Sequence, residues 1–596
     1  MTVTVEAEAA VTAALTRARE HLLGLQDADG WWKGELETNV TMDAEDLLLR
    51  EFLGILTPDI AEQSARWIRS RQREDGTWST FYGGPADLST TGEAYIALRL
   101  AGDPPGATHM AMAAEFVRQS GGVERSRVFT RVWLALFGVW PWDDLPALPP
   151  EVNLLPRFAP LNIYDFACWA RQTIVALTVV YAHRPVRPLG FTVDELRTGA
   201  ATVAVRGPFG VLDRVLRGYE RLPRWLPPKW PLRRFAVSRA EHWILRRQEA
   251  DGSWGGIQPP WVYSLLALHL QGYPLDHPAL RAGLDGLDGF TVCDDHCRRL
   301  EACQSPVWDT ALAVIALSDA GVGSEDPVLR RAAEWLLAEE IRVAGDWAVR
   351  RPKLAPGGWA FEFANDNYPD IDDTAEVVLA LRRAKVGDAA CRRAVTWTLG
   401  MQSRGGGWGA FDVDNVSRLP AALPFCDFGE VTDPPSADVT AHVLEMLAVE
   451  PGVDPQVVTQ AVTWLSDQQE ADGSWFGRWG ANYVYGTGAA VPALVAGGVK
   501  PGDNRIRRAV RWLEAHQNSD GGWGEDLRSY EDPAWRGRGE STPSQTAWAI
   551  LALLAADERG RESTARGIRY LVETQTPEGS WDEPWFTGIG FPGDFY

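Results

Sequence analysis

The sequence lacks any uninterrupted run of about 18 apolar residues, the length that predicts a helix crossing a bilayer. Cysteine is also scarce, with six residues scattered over a chain of 596. The chain does not begin with the basic and apolar regions of a secretory leader, so these cysteines do not predict a disulfide framework. We therefore expect a reducing, cytosolic compartment, which leaves attachment to a membrane surface open.

Basic residues are outnumbered by acidic ones, 58 against 80, and the net charge is −22. Phosphate binding needs a basic surface, so nucleic acid is excluded as a general partner. The length exceeds what one hydrophobic core usually fills, which predicts two large domains or more.

Tryptophan, in contrast, is abundant, with 28 residues. Much of this excess falls into the pattern Gln-x-x-x-Gly-x-Trp, whose seven copies are Gln26–Trp32, Gln72–Trp78, Gln248–Trp254, Gln402–Trp408, Gln469–Trp475, Gln517–Trp523 and Gln575–Trp581. Each copy lies between two segments with apolar residues at helical spacing, and its Asp-Gly or Gly-Gly step predicts a helix end and a turn. The repeated unit is therefore helix, turn, helix.

Repeated helical hairpins must stack to bury their apolar faces, so the chain should be all-α, as an open solenoid or a closed ring. We expect each Trp ring to lie against the Gln amide, while that amide hydrogen-bonds the end of a neighbouring helix. The copies cluster at both ends of the chain, which fits two helical barrels, one inserted in the sequence of the other.

Three carboxylates stand together in "YPDIDDTAEV" at 368–377, namely Asp370, Asp372 and Asp373. They repel one another unless they are solvated, bound or partly protonated. Asp after Pro at a helix start is an ordinary N-cap, and an acidic first turn suits the helix dipole. The alternating ligands and closing Glu of a calcium loop are missing.

A second signal lies in "DPPSADVTAHVLEML", where Asp438 and His442 are four residues apart. This spacing puts both on one side of a helix, where Asp438 could orient and charge the imidazole. Together with the acidic triplet, His442 becomes a candidate proton-relay partner.

The repeated motif and the segment Asp370-Ile371-Asp372-Asp373-Thr374-Ala375 resemble the squalene–hopene cyclases, the bacterial branch of the triterpene cyclases. The resemblance covers nearly the whole chain. It extends to "LNIYDFACWA", "SRVFTRVWLAL", "GSWGGIQPPWVY", "SPVWDTALAV", "PGGWAFEF", "PFCDFGEVTDPPSADVTAH" and "GRWGANYVYGTGA".

The resemblance implies two α/α barrels, or helical toroids. Residues 1–20 would pack on the catalytic barrel, 21–303 would form the inserted second barrel, and 304–596 would form the catalytic barrel. The implied activity is cofactor-independent, proton-initiated cyclisation of squalene to pentacyclic hopene or hopanol, without metal, by a homodimer on the cytoplasmic face of the cell membrane.

Within this family the central carboxyl of the triplet, here Asp372, protonates a terminal alkene. Asp370 and Asp373 would crowd it and keep its proton on, while His442, supported by Asp438 and by Tyr485 through water, would ease the loss of that proton.

The cation that forms needs an apolar wall of π faces, because a basic group or water would quench it. The resemblance assigns this wall to Trp169, Trp308, Phe361, Phe411, Trp479, Phe591 and Phe595. It places the far end of the pocket at Ile257, Gln258, Pro259 and Tyr263, with the polar groups Glu45, Glu93 and Arg127 nearby.

The chain departs from the family at two places. Phe411 stands where the family usually has Tyr, which keeps the π face and loses a hydroxyl. The chain also stops at Tyr596, where members typically continue with a tyrosine-containing wall segment, so we interpret the catalytic barrel as truncated at its C-terminus.

The net charge of the segment 206–247 is positive, although that of the whole chain is negative. Between Asp213 and Arg247 there are ten basic residues against three acidic ones, interleaved with Leu222, Trp225, Leu226 and Trp230. Such a mixture suits either a solvated basic face or an anionic bilayer interface, and the resemblance favours monotopic membrane contact.

Alternatives remain at this stage. "DDTAE" at 372–376 superficially looks like a magnesium motif of prenyl-diphosphate enzymes, although no convincing second metal motif or basic pair accompanies it. "CDDHC", Cys293 to Cys297, suggests zinc but lacks a second ligand pair. A cyclase of another linear isoprenoid or prenyl diphosphate, and an inactive cyclase-like helical-repeat scaffold, complete the set.

Overall fold

The computed structural model describes residues 2–199, 207–221, 229–294, 296–427, 429–585 and 588. In this part of the chain the secondary structure is helical apart from one small hairpin, which confirms the all-α prediction. The α-helices are α1 Thr2–Gly24, α2 Thr41–Leu53, α3 Pro58–Ser70, α4 Leu88–Leu100, α5 Thr108–Gln119, α6 Val128–Leu136, α7 Cys168–His183, α8 Gly207–Arg221, α9 Lys229–Leu245, α10 Gln258–Leu270, α11 Pro278–Gly289, α12 Pro306–Asp319, α13 Pro327–Ala338, α14 Ile371–Ala384, α15 Asp388–Gly400, α16 Ala437–Val449, α17 Pro455–Asp467, α18 Tyr483–Ala496, α19 Asn504–Ala515, α20 Pro543–Ala555 and α21 Glu562–Thr574.

The connections contain short 3₁₀ turns and one hairpin. The turns are Val123–Arg125, Trp142–Asp144, Pro150–Leu154, Ile163–Asp165, Asp194–Leu196, Asp346–Val349, Pro420–Ala422, Leu527–Tyr530 and Pro533–Trp535. The strands β1 Thr291–Cys293 and β2 Arg298–Leu300 pair antiparallel, with Thr291 opposite Leu300.

The repeated motif is a turn held by hydrogen bonds. Its glycine has a positive φ in all seven copies, for example +107° at Gly473, a conformation that glycine adopts without steric cost. The Gln469 amide donates to the carbonyls of Gly473 and Arg505, both at 2.9 Å. The Trp475 indole donates to the Leu465 carbonyl, ten residues earlier, at 2.7 Å.

The other copies repeat this pattern. Each Trp indole donates to the carbonyl ten residues before it. In five copies the Gln amide also reaches the second residue of a neighbouring helix, at Val328, His109, Ala279, Arg505 and Ser563. The predicted hydrogen bond from the motif to the end of a neighbouring helix is therefore confirmed in these copies.

The described residues form two compact units. Unit 1 comprises those of 2–34, 305–414 and 433–588, and unit 2 those of 35–304 and 415–432. The sequence places its boundaries at 20/21 and 303/304, whereas the units change at 34/35 and 304/305, and residues 415–432 group with unit 2.

Unit 1 has two layers of helices. An inner row of α12, α14, α16, α18 and α20 packs side by side, and α13, α15, α17, α19 and α21 pack outside it. α1 packs on α21. Several motif and core tryptophans are fully buried between these helices, among them Trp359, Trp397, Trp408, Trp475 and Trp523.

Unit 2 has the same layered character. α2 packs against α4, α6 and α10, and α7 packs against α10. α3, α5, α9 and α11 pack on this inner group. No helix among the described residues combines the length and the apolar character needed to cross a membrane.

Candidate active site

The acidic triplet lies at the N-terminus of α14, in the interior of unit 1. Asp370 is the N-cap, and its carboxylate accepts the Asp372 amide at 2.7 Å. Its own amide donates to the Trp359 carbonyl at 2.7 Å. Asp370 and Asp372 are 7% exposed and Asp373 is 1% exposed. The N-cap interpretation therefore holds for Asp370, while the other two carboxyls are buried beyond what capping requires.

Asp372 is bound to His442. The Oδ1 atom of Asp372 lies 2.6 Å from Nδ1 of His442, which α16 places opposite α14. The imidazole also has aromatic neighbours, with the Trp308 ring 5.9 Å and the Tyr485 ring 6.2 Å from it between centroids. Helix packing thus brings together residues that are 70 positions apart in the chain.

Burial and mutual repulsion determine the charges of this cluster. Burial, followed by the Asp372 charge, raises the pKa of Asp370 well above its usual range. Burial, followed by the charges of Asp370 and Asp372, does the same to the pKa of Asp373. Burial alone would lower the pKa of His442, but the adjacent Asp372 carboxylate raises it to about 10. These effects favour the protonated forms of Asp370 and Asp373, and they favour the imidazolium form of His442 whenever Asp372 is a carboxylate.

Asp438 has a different partner from the one expected. Its Oδ2 atom accepts the backbone amides of Arg478 and Trp479, both at 2.8 Å, while the imidazole hydrogen bond goes to Asp372. His442 still affects the pKa of Asp438, which burial and then Asp372 raise. Asp438 therefore positions the Trp479 segment directly and influences His442 only through its charge.

Asp433 positions the segment of a second aromatic residue, Phe411, as Asp438 positions that of Trp479. Its carboxylate accepts the amides of Phe411 at 2.7 Å, Asp412 at 2.8 Å and Ala410 at 3.2 Å. The Phe411 ring lies edge-on to Trp479, with centroids 6.1 Å apart. The sequence interpretation missed Asp433, although it stands in the same "EVTDPPSADVT" segment as Asp438.

Tyr485 is buried in α18, with its ring 4.6 Å from the Trp548 ring. Burial and then the Asp372 charge raise the pKa of Tyr485 well above its usual range, so it stays a phenol. The Glu525 carboxylate accepts the Val484 amide at 2.8 Å and so fixes the start of this helix.

The remaining aromatic residues expected in unit 1 are only partly buried. Trp308, Phe361, Phe411 and Trp479 each keep part of their surface exposed, whereas the motif tryptophans beside them are fully buried. Val307 donates its amide to the Phe361 carbonyl at 3.4 Å, which joins the start of α12 to this segment. Of these rings, Trp308 lies beside His442, as Tyr485 does, so the imidazole that contacts Asp372 has π faces around it.

Unit 2 contains a separate group of the expected residues. The Trp169 indole donates to the Glu430 carbonyl at 2.9 Å, and the Tyr263 ring stacks on Phe129 at 5.7 Å. Ile257 is the N-cap of α10, and Gln258 and Pro259 begin this helix.

The polar residues of unit 2 form one cluster. Burial and then Glu93 raise the pKa of Glu45 to about 8, while Trp133, Arg127 and Gln258 act in the opposite sense. The side-chain amide of Gln258 is buried beside Glu45.

Two of the expected wall residues, Phe591 and Phe595, lie outside the described residues. The cysteines of "CDDHC" lie at the β1–β2 hairpin, where the Cys297 thiol contacts the Asp294 carboxylate at 3.2 Å. Within the described residues no three potential ligands are grouped to hold a metal ion. No disulfide joins the six cysteines, all of which lie in the described part of the chain.

The described residues combine a layered α-helical fold with a buried Asp–His pair beside aromatic rings. Among solved structures, ent-copalyl diphosphate synthase from Streptomyces platensis has this fold, with a TM-score of 0.51 and 20% identity over 98% of this chain and 95% of that one.

Comparison of the sequence with models of known families identifies the family of this chain. Residues 15–296 match the family described as squalene-hopene cyclase N-terminal domain, and residues 304–596 match the C-terminal domain of the same description. The chain belongs to the squalene–hopene cyclase family, as the resemblance predicted.

Relatives match over almost the whole chain. The squalene–hopene cyclase of Alicyclobacillus acidocaldarius is 52% identical, covering 98% of this chain and 94% of that protein. The squalene–hopene cyclase of Zymomonas mobilis is 41% identical, covering 98% of this chain and 92% of that protein.

Proposed function

We propose that this protein cyclises squalene to pentacyclic hopene or hopanol by protonating a terminal alkene. The observation that carries the proposal is the 2.6 Å contact between the Asp372 carboxyl and the His442 imidazole. The nearly full-length relatives named squalene–hopene cyclase support this choice of substrate.

Asp372 is the proton donor in this proposal. Its O–H bond breaks as a C–H bond forms at the alkene carbon, which leaves a carbocation and a carboxylate. The His442 imidazolium stabilises that carboxylate, and the protonated Asp370 and Asp373 add no negative charge beside it. The cation passes through successive ring closures and ends by losing a proton, which gives hopene, or by adding water, which gives hopanol.

The expected wall aromatics of unit 1 stabilise the cation in this proposal. The half-buried faces of Trp308, Phe361, Phe411 and Trp479 would stabilise positive charge without attacking it. We assign substrate contacts within unit 2 to Trp169, Ile257, Gln258, Pro259 and Tyr263. The Glu45, Glu93 and Arg127 cluster would act where the last proton leaves or water adds.

Purified, detergent-solubilised protein incubated with squalene in EDTA tests the function, with products identified by gas chromatography and mass spectrometry. Hopene or hopanol is the expected result. Unchanged squalene from protein with a cooperative melting transition would contradict the proposal.

The variant Asp372→Asn tests the donor. It keeps the shape of the side chain and removes the acidic proton, so conversion should vanish while the far-UV circular dichroism spectrum is unchanged. Substantial remaining turnover would remove Asp372 as the donor.

We also propose that the α8–α9 region binds an anionic membrane surface. Apolar side chains are exposed on both helices: Val211 at 51%, Val215 at 62% and Phe235 at 59%. Arg214 and Arg234 are exposed beside them. Apolar residues mixed with unburied cations suit the headgroup region of a bilayer. Of the membrane residues expected from the sequence, Leu222, Trp225 and Leu226, together with the side chain of Trp230, lie outside what the structure describes.

Flotation with phosphatidylglycerol-containing liposomes tests this surface. The double variant Val215→Glu/Phe235→Glu should float less than the wild type, and Val343→Glu, at a residue 53% exposed in unit 1, should float normally. Undiminished flotation of the double variant would refute the assignment. The homodimer stays a prediction, which light scattering in detergent would check.

A further inference from the structure

Two carboxyl side chains follow the acid–imidazole pair along the contact between α14 and α16. Glu376 comes four residues after Asp372 on α14, and Glu445 comes three residues after His442 on α16. These spacings keep each on the same side of its helix as the residue before it, one turn further along. The Asp372–His442 hydrogen bond brings these two sides face to face.

Burial decreases from Glu376 outward. Glu376 is 6% exposed and Glu445 is half-buried. Arg383 comes next on α14 and pairs with Asp319, whose side chain is 61% exposed. The row therefore leads from the buried acid to solvent within unit 1.

In the described part of the chain, neither glutamate side chain has a partner that explains its burial. Both side chains have electrostatic neighbours there, and neither makes a side-chain hydrogen bond or an ion pair. A carboxyl group buried without such a partner costs stability. This cost makes a role in the chemistry of the neighbouring His442 the simpler explanation.

The pKa values of both carboxyl groups are raised. Burial raises the pKa of Glu376 to about 7; His442 and Arg383 act against this rise, while Glu445 and Asp372 add to it. Burial also raises the pKa of Glu445, and again His442 and Arg383 act against it. From α18, Tyr485 lies close enough for the Glu376 charge to raise its pKa, and it stays a neutral phenol.

The proposed function creates a need for such groups, and the inference rests on it. Each turnover moves the Asp372 proton onto a substrate carbon. The proton lost at the end of the reaction leaves from the last cation or from the added water, at a different atom. Asp372 therefore remains a carboxylate until a proton arrives from solvent, and an apolar cation wall is a poor route for it.

We propose that Glu376 and Glu445 return a proton from solvent to the Asp372–His442 pair after each turnover. The Glu376 O–H bond breaks as the pair takes up the proton, and the Glu376 carboxylate regains a proton from solvent through Glu445. Both residues act through His442 and touch no substrate atom.

Comparison of single and repeated turnover tests this role in Glu376→Gln, Glu445→Gln and the double variant. With enzyme in excess over squalene, only the proton already on Asp372 is needed, so the single-turnover rate should stay within about twofold of wild type. With squalene in excess, the double variant should be slowed about tenfold or more at pH 8 and less at pH 6, where protons are more plentiful. Glu376→Asp should restore part of the steady-state rate.

Glu334→Gln on the exposed face of α13 is the matched control and should behave as wild type in both regimes. Equal slowing of single and repeated turnover would overturn the proposal, because it would mean that the glutamates only tune the acid. An unchanged steady-state rate would overturn it as well. Failure of wild-type protein to convert squalene would instead count against the proposed function.

Discussion

The variant His442→Gln tests the acid–imidazole pair directly. Glutamine keeps a polar side chain of similar length but cannot carry the charge that faces Asp372. Two unit charges about 4 Å apart at an effective dielectric constant of about 20 attract by about 4 kcal/mol. The pKa of His442 rises from 6.5 to about 10 because the attraction of Asp372, with smaller contributions from Glu376 and Glu445, outweighs the opposing effect of burial.

This attraction converts into an expected rate. The Asp372 carboxylate forms only partly in the transition state of proton transfer, so between half and all of the 4 kcal/mol is lost. At about 1.4 kcal/mol per factor of ten, His442→Gln should lower the cyclisation rate by roughly 30-fold to 1,000-fold.

Initial rates of squalene consumption at pH 6 to 7, measured by gas chromatography, provide the assay. His516→Gln removes an imidazole from α19 of the same unit, where His516 stacks on Trp512, and should keep the wild-type rate. Thermal melting of each variant checks folding. A rate for a folded His442→Gln protein within about threefold of wild type would refute the claim that the imidazolium activates Asp372.

Three further predictions concern the stability of the protein and the number of rings in its products. The pKa of His442 is raised from 6.5 to about 10, so the stability from its charged form is complete below about pH 6.5 and is lost as the pH rises through about 10. Over that interval the apparent melting temperature of wild type should fall more than that of His442→Gln, and parallel curves would contradict this. Asp438→Asn removes the charged acceptor of the Arg478 and Trp479 amides, which should cost about 1–3 kcal/mol and increase products with fewer rings; an unchanged product profile would disprove the positioning role. Gln469→Ala deletes two 2.9 Å hydrogen bonds and should lower the free energy of unfolding by about 1–2 kcal/mol in denaturant titration, with normal activity per folded molecule.

Local sequence was sufficient to predict the repeating unit. The Gly-x-Trp turn needs a left-handed glycine, and the seven motif glycines all have positive φ. The Trp indole always finds the carbonyl ten residues earlier, as in Trp408 to Thr398 at 2.7 Å, because the intervening helix and turn have constant length. Such short-range geometry follows from residue type and spacing alone.

The carboxylate that pairs with His442 could not be predicted from spacing in this way. Asp438 and His442 are four residues apart, and helix periodicity correctly places them near each other. Periodicity does not decide which carboxylate takes the imidazole hydrogen bond, and the choice of Asp372 depends on how α14 packs against α16. The resemblance to the cyclases, rather than the spacing, pointed to this pair.

The roles of Glu376 and Asp433 could not be predicted from spacing along the chain either. Glu376 stands in the quoted "YPDIDDTAEV" segment, one helical turn after Asp372, and could have been noticed there. Its significance depends on the proximity of His442 and Glu445, which belong to another helix. Asp433 gains its role because the loop of Phe411 folds back onto its carboxylate.

The sequence by itself determined the helical hairpins, their turns, the absence of a long apolar run and the crowding of three carboxyls at the start of one helix, since these depend on neighbours along the chain. Only the tertiary structure decided which groups those carboxyls meet, what raises the pKa values of Asp370 and Asp373, and which aromatic faces remain uncovered. These properties depend on burial and on distances between residues tens of positions apart, and packing of one helix against the next sets both.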